Sequence, residues 1–596
     1  MSDASHWLES FAGALARNES AAAAGLFEEG GFWRDLVAFT WNIKTCEGRE
    51  EIRRMLEATL AGARPSQFRI TGEPKLTDGV TEAWFAFETA VGRGIGQLRL
   101  REGRCWTLLT TLRELKGFEE KAGARREPGI EHGAIAGRRS WLEKKTQEEA
   151  ELGSVRQPYV LIVGGGQGGI ALGARLKRLG VPALIVERNE RAGDSWRKRY
   201  KSLCLHDPVW YDHLPYLPFP DHWPVFTPKD MLGDWLEMYV KVMGLHYWGS
   251  TRCVGASYDE GSGEWTVRLE KGGKPSEVKA KHLVLATGMS GMPSIPAIPG
   301  AASFKGSIRH SSAFPGGEGW GGKRCVVVGA STSAHDICAS LWENGAEVTM
   351  LQRSPTVVAT SESLEEYAWS RLYSEAALAA GITTELADLS VASVPMKLLP
   401  GFQKPLYEKM ARRDAALYEG LARAGFQFDF GEDGSGIHSL YLRRGSGYYI
   451  EVGASKLIIE GKIRLKSPAR VERLNERSVT VSDGKGNETE LPADLVVFAT
   501  GYGSMTGWAA ELISREVAQR VGRCWGLGSD TKYDPGPWVG ELRNMWKPTR
   551  QPGLWFHGGN LMQSRHYSLY LALQLKARME GIATPVYGMD PVHHPD

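Results

Sequence analysis

The feature that most restricts how this chain can fold is a glycine loop between a strand pattern and a helix pattern. The run from Tyr159 to Val163 is apolar and rich in valine, Gly164-x-Gly166-x-x-Gly169 follows directly, and IALGARLKRLG then has helical periodicity. Such a turn between a buried parallel strand and a helix points the amides of the helix N-terminus at an anion. The sequence therefore predicts a phosphate-binding βαβ unit within an α/β fold.

Each glycine of this first loop has its own role. Gly164 permits the tight turn, Gly166 lets the backbone approach a pyrophosphate, and Gly169 lets the helix pack on the strand. The next strand pattern, PALIVE, ends in Glu187, about twenty residues beyond the loop, where a carboxylate can accept hydrogen bonds from a ribose diol. We therefore predict a tight dinucleotide site here.

A second, degraded loop repeats the plan in CVVVGASTSAHDICASLWENGAEVTMLQRS. Gly329-x-Ser331-x-x-Ala334 stands in place of three glycines, and the Ser331 side chain moves a pyrophosphate slightly outwards. The hydroxyls of Ser331, Thr332 and Ser333 can donate to phosphate oxygens. Looser binding suits a dinucleotide that exchanges during turnover.

The end of the second unit indicates which nicotinamide coenzyme it takes. The position of Glu187 is occupied there by Gln352, followed by Arg353. A carboxylate would repel a 2′-phosphate, whereas a glutamine and an arginine can accept one, which favours NADPH over NADH. Because Arg188 also follows Glu187 in the first unit, the missing acid carries this prediction.

Two further segments end an apolar strand pattern in Ala-Thr-Gly: LVLATGMSGMPSIPAIPG at 283–300 and LVVFATGYGSM at 495–505. This turn, which includes Gly288 and Gly501, is typical of flavoproteins with two dinucleotide-binding domains, where the chain leaves and re-enters the FAD domain. We therefore expect two Rossmann-like domains: an FAD-binding domain at 157–301 and 498–596, and an inserted NADP-binding domain at 302–497.

The segment FKGSIRHSSAF carries the most specific motif. Phe304, Gly306, His310 and Phe314 occupy the fixed positions of the fingerprint of class B flavoprotein monooxygenases. ERAGDSWRKRY and LCLHDPVWYDHLPYLPFP resemble the matching stretch of flavin-containing monooxygenases, including the plant YUCCA-type enzymes, and the likeness runs from about 157 to 580. The chain differs from Baeyer-Villiger monooxygenases, which typically end the fingerprint in tryptophan.

The resemblance implies a reaction cycle and a set of site residues. NADPH reduces FAD, oxygen adds at flavin C4a, and the peroxyflavin transfers one oxygen atom to a small organic substrate while NADP stays bound. N- or S-oxidation, Baeyer-Villiger oxidation of a ketone and oxidative decarboxylation of a 2-oxo acid stay open. The fingerprint lies on the crossover between the two domains, so His310 is assigned to conformational control and not to acid-base catalysis.

The candidate catalytic residues are His310, Asp207 and Asn560. The polar residues near the flavin, His206, Asp207, Asn560 and Gln563, have an equally good alternative as turn or cap residues. The predicted cofactor-binding residues are Gly164, Gly166, Gly168, Gly169, Glu187, Arg188, Ser195, Trp196, His206, Asp207, Gly288, Gly501, Asn560 and Gln563 for FAD, and Gly329, Ser331, Thr332, Ser333, Ala334, Gln352 and Arg353 for NADPH.

Two other function classes compete with a monooxygenase. A pyridine nucleotide-disulfide reductase shares both loops, but it needs a redox cysteine pair, and the seven cysteines contain no C-x-x-C motif. A catalytically inert nucleotide-binding regulator would bind both nucleotides without consuming NADPH. Oxygen-dependent NADPH consumption separates that regulator from an enzyme.

The first 120 residues lie outside this resemblance. WLESFAGALARN and EEIRRMLEATLAG have helical spacing, and both precede alternating runs such as TEAWFAFETAV. This pattern predicts an α+β module that resembles NTF2-like (SnoaL-like) domains, with a structural or dimerisation role favoured over a second catalytic pocket. Residues 121–156 are charged and rich in glycine, which predicts a partly helical linker.

Composition restricts the partners. The chain has 596 residues and a formal net charge of +2, so its charge gives no indication of binding to nucleic acid or to an anionic membrane. Seven cysteines, an odd number, indicate reduced thiols without a disulfide frame or metal site. No signal peptide or spanning segment is apparent. We expect a cytoplasmic protein that acts on a small molecule and O2, and a homodimer is allowed.

Overall fold

The computed structural model of the protein describes residues 3–594. The N-terminal part is a six-stranded mixed sheet with helices packed on one face. Its elements are α1 (Asp3–Ala16), α2 (Ser20–Gly25), β1 (Phe27–Leu36), β2 (Ile43–Glu47), α3 (Gly48–Ala63), β3 (Ser66–Thr77), β4 (Val80–Glu88), β5 (Gly92–Arg101) and β6 (Arg104–Leu115). The strand order is β2-β1-β6-β5-β4-β3, with β1 parallel to β6.

The helices of this part pack on the sheet because their apolar residues share one face. In α1, Trp7, Phe11 and Leu15 recur at helical spacing and are buried. The expected order of helices before strands is modified in one respect, since β1 and β2 precede α3. An exposed helix, α4 (Trp141–Glu151), lies in the segment after β6, and Ser140 and Glu143 form a capping box at its start.

The first parallel sheet contains the first glycine loop. Its strands VLIV, ALIV and HLVL are largely apolar and almost completely buried, as expected of a parallel sheet that is covered on both faces. Its elements and an attached antiparallel meander are β7 (Val160–Val163), α5 (Gln167–Arg178), β8 (Ala183–Val186), α6 (Asp194–Arg197), α7 (Lys229–Val242), β9 (Tyr247–Trp248), β10 (Thr251–Asp259), β11 (Glu264–Lys271), β12 (Lys274–Ala280) and β13 (His282–Leu285).

The second parallel sheet repeats this design and also carries an antiparallel meander. The elements are β14 (Ser307–His310), β15 (Arg324–Val328), α8 (Thr332–Glu343), β16 (Glu347–Leu351), β17 (Thr356–Thr360), α9 (Ser361–Leu364), α10 (Glu375–Ala379), α11 (Thr384–Ala392), α12 (Leu399–Arg413), α13 (Ala415–Arg423), β18 (Phe428–Asp429), α14 (Gly436–Arg444), β19 (Tyr448–Glu451), α15 (Ala454–Ile459), β20 (Ile463–Lys466), β21 (Arg470–Leu474), β22 (Ser478–Ser482), β23 (Glu488–Pro492) and β24 (Leu495–Phe498). The strand order is β14-β24-β15-β16-β20, the meander is β21-β22-β23, and a largely helical segment lies between β17 and β20.

The chain then returns to the first sheet. The last elements are α16 (Met505–Leu512), α17 (Arg515–Val521), β25 (Leu554–Phe556) and α18 (Leu561–Met579). Strand β25 pairs in parallel with β13 and completes the order β25-β13-β7-β8-β9. Residues 561–577 of α18 are buried all round, because the helix lies against α5 on one side and β6 of the N-terminal sheet on the other. The molecule is therefore an α/β Rossmann-like fold with an additional N-terminal β-rich domain.

Candidate active site

The first glycine of each loop is fixed by the Ala-Thr-Gly turn beside it. Gly164 has φ +110°, and a Cβ there would lie 2.3 Å from the carbonyl oxygen of Ala286. Gly329 has φ +130°, and a Cβ there would lie 2.4 Å from the carbonyl oxygen of Ala499. Only glycine is compatible with both the positive φ and this close approach. The two loops and the two turns are thus matched parts of one repeated design.

The other two glycines of the first loop have different surroundings: Gly169 packs against protein atoms, whereas Gly166 faces open space. A Cβ on Gly169 would lie 2.0 Å from the Gly164 carbonyl oxygen, so helix and strand pack closely here. A Cβ on Gly166, by contrast, would find no protein atom nearer than Ser195 Oγ at 3.7 Å. The Gly166 position therefore leaves free the space in front of α5, where a pyrophosphate would approach.

Glu187 lies at the carboxyl end of β8 and is buried. One carboxylate oxygen accepts from the Gly165 amide at 2.8 Å, and the other accepts from the backbone and side-chain nitrogens of Asn189 at 2.8 and 2.7 Å. A carboxylate has about four acceptor positions, so one remains for a ligand. Glu187 thus holds the loop and also lines the adjoining cavity.

The second loop presents hydroxyls at the start of α8. Ser331 is the N-cap residue of this helix, and the Thr332 hydroxyl donates to the Tyr448 carbonyl oxygen at 3.0 Å. Arg353 is exposed, and within residues 3–594 its guanidinium has neither a hydrogen bond nor an ion pair. It is therefore free to meet an anionic ligand.

Gln352 does not take part with Arg353, contrary to our expectation. It is completely buried, its amide nitrogen donates to the Gln427 carbonyl oxygen at 2.7 Å, and its amide oxygen accepts from the Gln427 amide and the Ser467 hydroxyl, each at 2.8 Å. The side chain ties β16 to two neighbouring segments and is not in the cavity wall. Its hydrogen bonds inside the protein exclude a contact with a 2′-phosphate in this arrangement.

Both loops open onto one cavity of about 1720 Å³. Most of the predicted residues lie in its wall, whereas Gly169, His310, Gln352 and Gln563 do not. The predicted residues that line it are Gly164, Gly166, Gly168, Glu187, Arg188, Ser195, Trp196, His206, Asp207, Gly288, Gly329, Ser331, Thr332, Ser333, Ala334, Arg353, Gly501 and Asn560. The tertiary structure therefore brings residues of both parallel sheets to one site.

The fingerprint segment forms the edge of the second sheet. Phe304 and Phe314 are buried, and β14 pairs in parallel with β24. A Cβ on Gly306 would lie 2.5 Å from the Asp494 carbonyl oxygen, so a side chain there would separate the segment from the rest of the sheet. These fixed positions hold the crossover in place.

His310 joins this edge strand to the second Ala-Thr-Gly turn. Its Nδ1 accepts from the Ser312 amide at 3.1 Å, and its Nε2 donates to the Gly501 carbonyl oxygen at 3.0 Å. Both ring nitrogens are used, which fixes the neutral Nε2–H tautomer. Burial lowers the pKa of His310 below its usual value. The geometry is that of a connecting residue and not of a proton donor facing the cavity.

Asn560 and Gln563 cap α18. The Asn560 side chain accepts from the Gln563 amide at 2.9 Å, and the Gln563 side chain accepts from the Asn560 amide at 3.3 Å. The side-chain nitrogen Nδ2 of Asn560 also donates to the Tyr211 hydroxyl at 3.0 Å, and the side-chain oxygen Oε1 of Gln563 accepts from the Tyr441 hydroxyl at 3.0 Å. The cap thereby holds Tyr441, which lines the cavity, and the buried Tyr211. Asn560 and Gln563 thus have the cap role that was the alternative to flavin contact.

Asp212 is a candidate residue that the sequence patterns did not indicate. It is 1% exposed, it lines the cavity together with Asp207, and its Oδ2 has no hydrogen-bond partner in the described residues. Burial raises the pKa of both carboxyls, and the charge of Asp207 raises that of Asp212 further. The only signal in the sequence was a second aspartate five residues after the first, in a proline-containing segment without regular periodicity.

Three other properties restrict the chemistry. All seven cysteines are free thiols, and six of them are buried. Among residues 3–594, no group of three or more histidine, cysteine or acidic side chains is arranged to hold a metal ion. In the same range, no helix combines the length and apolar character needed to cross a bilayer.

Comparison with known proteins identifies the family. A family model described as pyridine nucleotide-disulphide oxidoreductase matches residues 158–388. Indole-3-pyruvate monooxygenase YUCCA1 of Oryza sativa subsp. japonica is 30% identical over 369 residues, which are 61% of this chain and 82% of that protein. The probable indole-3-pyruvate monooxygenase YUCCA9 of Arabidopsis thaliana is 30% identical over 355 residues, covering 59% of this chain and 76% of the relative.

A solved structure agrees at the level of the fold. The crystal structure of OTEMO in complex with FAD and NADP superposes with a TM-score of 0.50 and 18% identity, over 72% of this chain and 86% of that one. The matched sequences, the two glycine loops and the crossover fingerprint lead to one assignment. The chain belongs to the flavin-containing monooxygenase family of class B flavoprotein monooxygenases, and it is a flavin-dependent, NADPH-using monooxygenase.

Proposed function

We propose that the first loop holds FAD and the second holds NADPH, and that both cofactors meet a small organic substrate in the shared cavity. The observation that carries the proposal is that both glycine loops and both Ala-Thr-Gly turns open onto this one space. The volume of about 1720 Å³ leaves room for more than one ligand, because single small-molecule sites are typically about 300–1,000 Å³.

The residues present fit FAD at the first loop. The open space at Gly166 accommodates a pyrophosphate, and the free acceptor position of Glu187 suits a ribose hydroxyl. Arg188, Ser195 and Trp196 lie in the same wall. We assign the FAD-binding domain to 157–301 and 498–596, a division supported by the return of β25 to the first sheet.

The second loop fits NADPH. Ser331 and Ser333 offer donors at the start of α8, and Arg353 offers an unpaired guanidinium for the 2′-phosphate. We assign this role to Arg353 without Gln352. The NADP-binding domain is assigned to 302–497, which contains every strand of the second sheet except the last residue of β24.

When bound, the flavin supplies the chemistry that activates O2: NADPH gives two electrons, one oxygen atom enters the product, and the other leaves as water. The protein's own contribution is to orient the two dinucleotides, to keep bulk water out, and to hold the crossover through His310. Asp207 and Asn560 lie in the cavity wall, where they can contact the substrate or a cofactor ring.

For residues 1–120 we propose an NTF2-like (SnoaL-like) domain with a structural role. The space between its sheet and helices contains a cluster of stacked and edge-on aromatic rings, which supports a structural role over a second catalytic pocket. Its opposite face docks on α18, supported by a buried contact of Arg34 with the Tyr567 hydroxyl.

The test uses purified yellow protein, NADPH and air. Sulfides, amines, ketones and 2-oxo acids are supplied singly, O2 and NADPH consumption are followed, and products are analysed by mass spectrometry. The proposal expects one O2 consumed per NADPH and a product heavier by one oxygen atom, or a decarboxylated product from a 2-oxo acid. An inert regulator would bind both dinucleotides with no NADPH consumption.

A further inference from the structure

The wall of the cavity carries two carboxyl groups that the pyrophosphate, ribose and 2′-phosphate contacts proposed above do not use. Asp207 is half-buried and Asp212 is 1% exposed, and both line the cavity. Buried acids in folded proteins are almost always paired with a donor or a cation, because a carboxylate without a partner is strongly unfavourable in the protein interior. We therefore ask which group compensates the negative charge of these two carboxyls.

The rest of the protein does not supply the compensation. Across residues 3–594, neither Asp207 nor Asp212 has a hydrogen bond or an ion pair, and Asp212 Oδ2 is a buried acceptor without a donor. Arg565 is the cation whose charge acts on Asp212, but its guanidinium is bidentate to Asp388 at 2.8 Å and also donates to backbone carbonyls. The imidazole of His206 acts on Asp207 without a hydrogen bond to it.

Aromatic rings complete the surroundings of the pair. Tyr441 and Tyr448 also line the cavity, and the electrostatic influence of Asp207 reaches both of them and Tyr211. Tyr441 is held by Gln563, and Tyr211 is held by Asn560, so the rings are fixed by the cap of α18. Carboxylates beside the faces of aromatic rings form the set of groups that recognises an ammonium ion.

The two carboxyls also influence each other. Burial raises the pKa of Asp207, and burial together with the charge of Asp207 raises the pKa of Asp212 well above its usual range. Two interacting buried acids lose their protons in separate steps, so the pair tends to keep one proton and carry one negative charge. A cation placed beside them would stabilise the ionised form and supply the missing partner.

We propose that Asp207 and Asp212, together with Tyr441 and Tyr448 in the same cavity wall, form a subsite for the cationic group of the substrate, an alkylammonium ion. The inference rests on the proposed function, because it places the substrate in the FAD-loaded cavity. A substrate carboxylate would be repelled by the same pair. The chain thus favours ammonium-bearing substrates over 2-oxo acids, whereas the two plant relatives reported above are named for indole-3-pyruvate.

The experiment measures binding to the FAD-loaded protein by calorimetry and by perturbation of the flavin absorbance. Three probes of similar shape are compared at neutral pH: benzyltrimethylammonium, benzyl alcohol and phenylacetate. The variants are Asp212→Asn, Asp207→Asn and the conservative Asp212→Glu. The matched control is Asp221→Asn, which changes a fully exposed aspartate in the same connecting segment.

We expect the wild type to bind the cation at least about tenfold more tightly than the alcohol, and phenylacetate most weakly. Asp212→Asn and Asp207→Asn should each weaken binding of the cation by about ten- to a hundred-fold, with benzyl alcohol changed by less than about twofold. Asp212→Glu should recover part of the preference, and Asp221→Asn should match the wild type.

Equal binding of all three probes by the wild type would overturn the inference. So would loss of FAD occupancy, or a changed rate of reduction by NADPH, in Asp212→Asn with the cation preference intact, because the pair would then serve a cofactor. NADPH-dependent O2 consumption distinguishes this failure from failure of the proposed function. If NADPH-dependent O2 consumption persists but the wild type shows no preference for the cation, only the ammonium subsite is refuted. If O2 consumption is absent while the cation preference is observed, the proposed function is refuted.

Discussion

Arg34 and Glu541, which are 507 residues apart in the chain, form a bidentate ion pair with both N···O distances at 2.7 Å. Both side chains are almost fully buried. Arg34 also donates to the Ala392 carbonyl oxygen at 2.6 Å, and the Thr45 hydroxyl donates to Glu541 at 2.7 Å. The pair joins β1 of the N-terminal sheet to the segment before β25. The N-terminal domain is therefore bound to the rest of the protein by a buried ion pair as well as by the covalent linker.

Removing one member of this pair should destabilise the protein strongly. Glu541→Gln leaves the Arg34 charge buried without a counter-ion, so we expect the free energy of unfolding to fall by about 3–5 kcal/mol. Urea denaturation monitored by tryptophan fluorescence measures the change. Glu19→Gln, which breaks the exposed pair with Arg17, is the control and should leave the midpoint unchanged. Equal effects of the two substitutions would contradict a fastening role.

Gly166→Val should give colourless or easily stripped protein. The valine side chain occupies the open space in front of α5, while the backbone of Gly166, at φ −80°, accepts a side chain without strain. Flavin absorbance relative to protein measures the occupancy. Gly62→Val, at an exposed position in α3 with no neighbour within 4 Å, controls for a general effect of valine. Full flavin content in Gly166→Val would show that this loop does not bind FAD.

Arg353→Ala should weaken NADPH far more than NADH. Only NADPH has a 2′-phosphate, and a charge-assisted contact to it is worth about 1.5–3 kcal/mol, or about ten- to a hundred-fold in affinity. The apparent affinity for each coenzyme is measured from the rate of flavin reduction under anaerobic conditions. Arg477→Ala, an exposed arginine outside the cavity wall, should change neither. An equal loss for both coenzymes would refute the assignment.

His310→Ala should uncouple NADPH oxidation from product formation. The substitution removes the hydrogen bonds to Ser312 and Gly501 but leaves Gly164 and Glu187 intact, so FAD should still bind and accept hydride. The loosened crossover would admit water, and reducing equivalents would appear as hydrogen peroxide. The ratio of peroxide formed to NADPH consumed, with a confirmed substrate present, should rise. An unchanged ratio would make the segment a connecting loop only.

Stability should fall as the solution becomes acidic, because several histidines are buried in neutral form. Burial lowers the pKa of His282 and His557 to about 3 and that of His335 to about 4, from 6.5. Below pH 6.5 the unfolded chain therefore binds more protons than the folded protein. The stabilisation is complete above pH 6.5 and is lost as pH falls towards 4, by about 1.4 kcal/mol per pH unit for each histidine.

Urea denaturation between pH 4 and pH 8 tests this dependence on pH. His335→Gln removes one titrating group, so its free energy of unfolding should vary less steeply with pH than that of the wild type. His6→Gln, on the exposed side of α1, is the control and should keep the wild-type slope. A variant slope equal to the wild-type slope would place the proton uptake elsewhere.

The sequence by itself determined the parts of the fold that are encoded within one continuous stretch. A strand, a glycine turn and a helix follow each other within about thirty residues, and the turn allows few alternatives to Gly164 and Gly329. The same holds for the Ala-Thr-Gly turns and for the fingerprint around His310. These local signals identified the α/β architecture and the family, and most of the cofactor-binding residues that they indicated lie in the cavity wall.

Tertiary structure alone decided what depends on distant partners. Gln352 was predicted to face a phosphate, but Gln427 and Ser467 hold it in the interior. Asp212 joins Asp207 at the cavity, and the ion pair of Arg34 with Glu541 spans 507 residues. Periodicity and motif spacing describe a residue relative to its own element, whereas burial and pairing depend on which elements pack together. The charge of the cavity wall therefore became visible only in the folded chain.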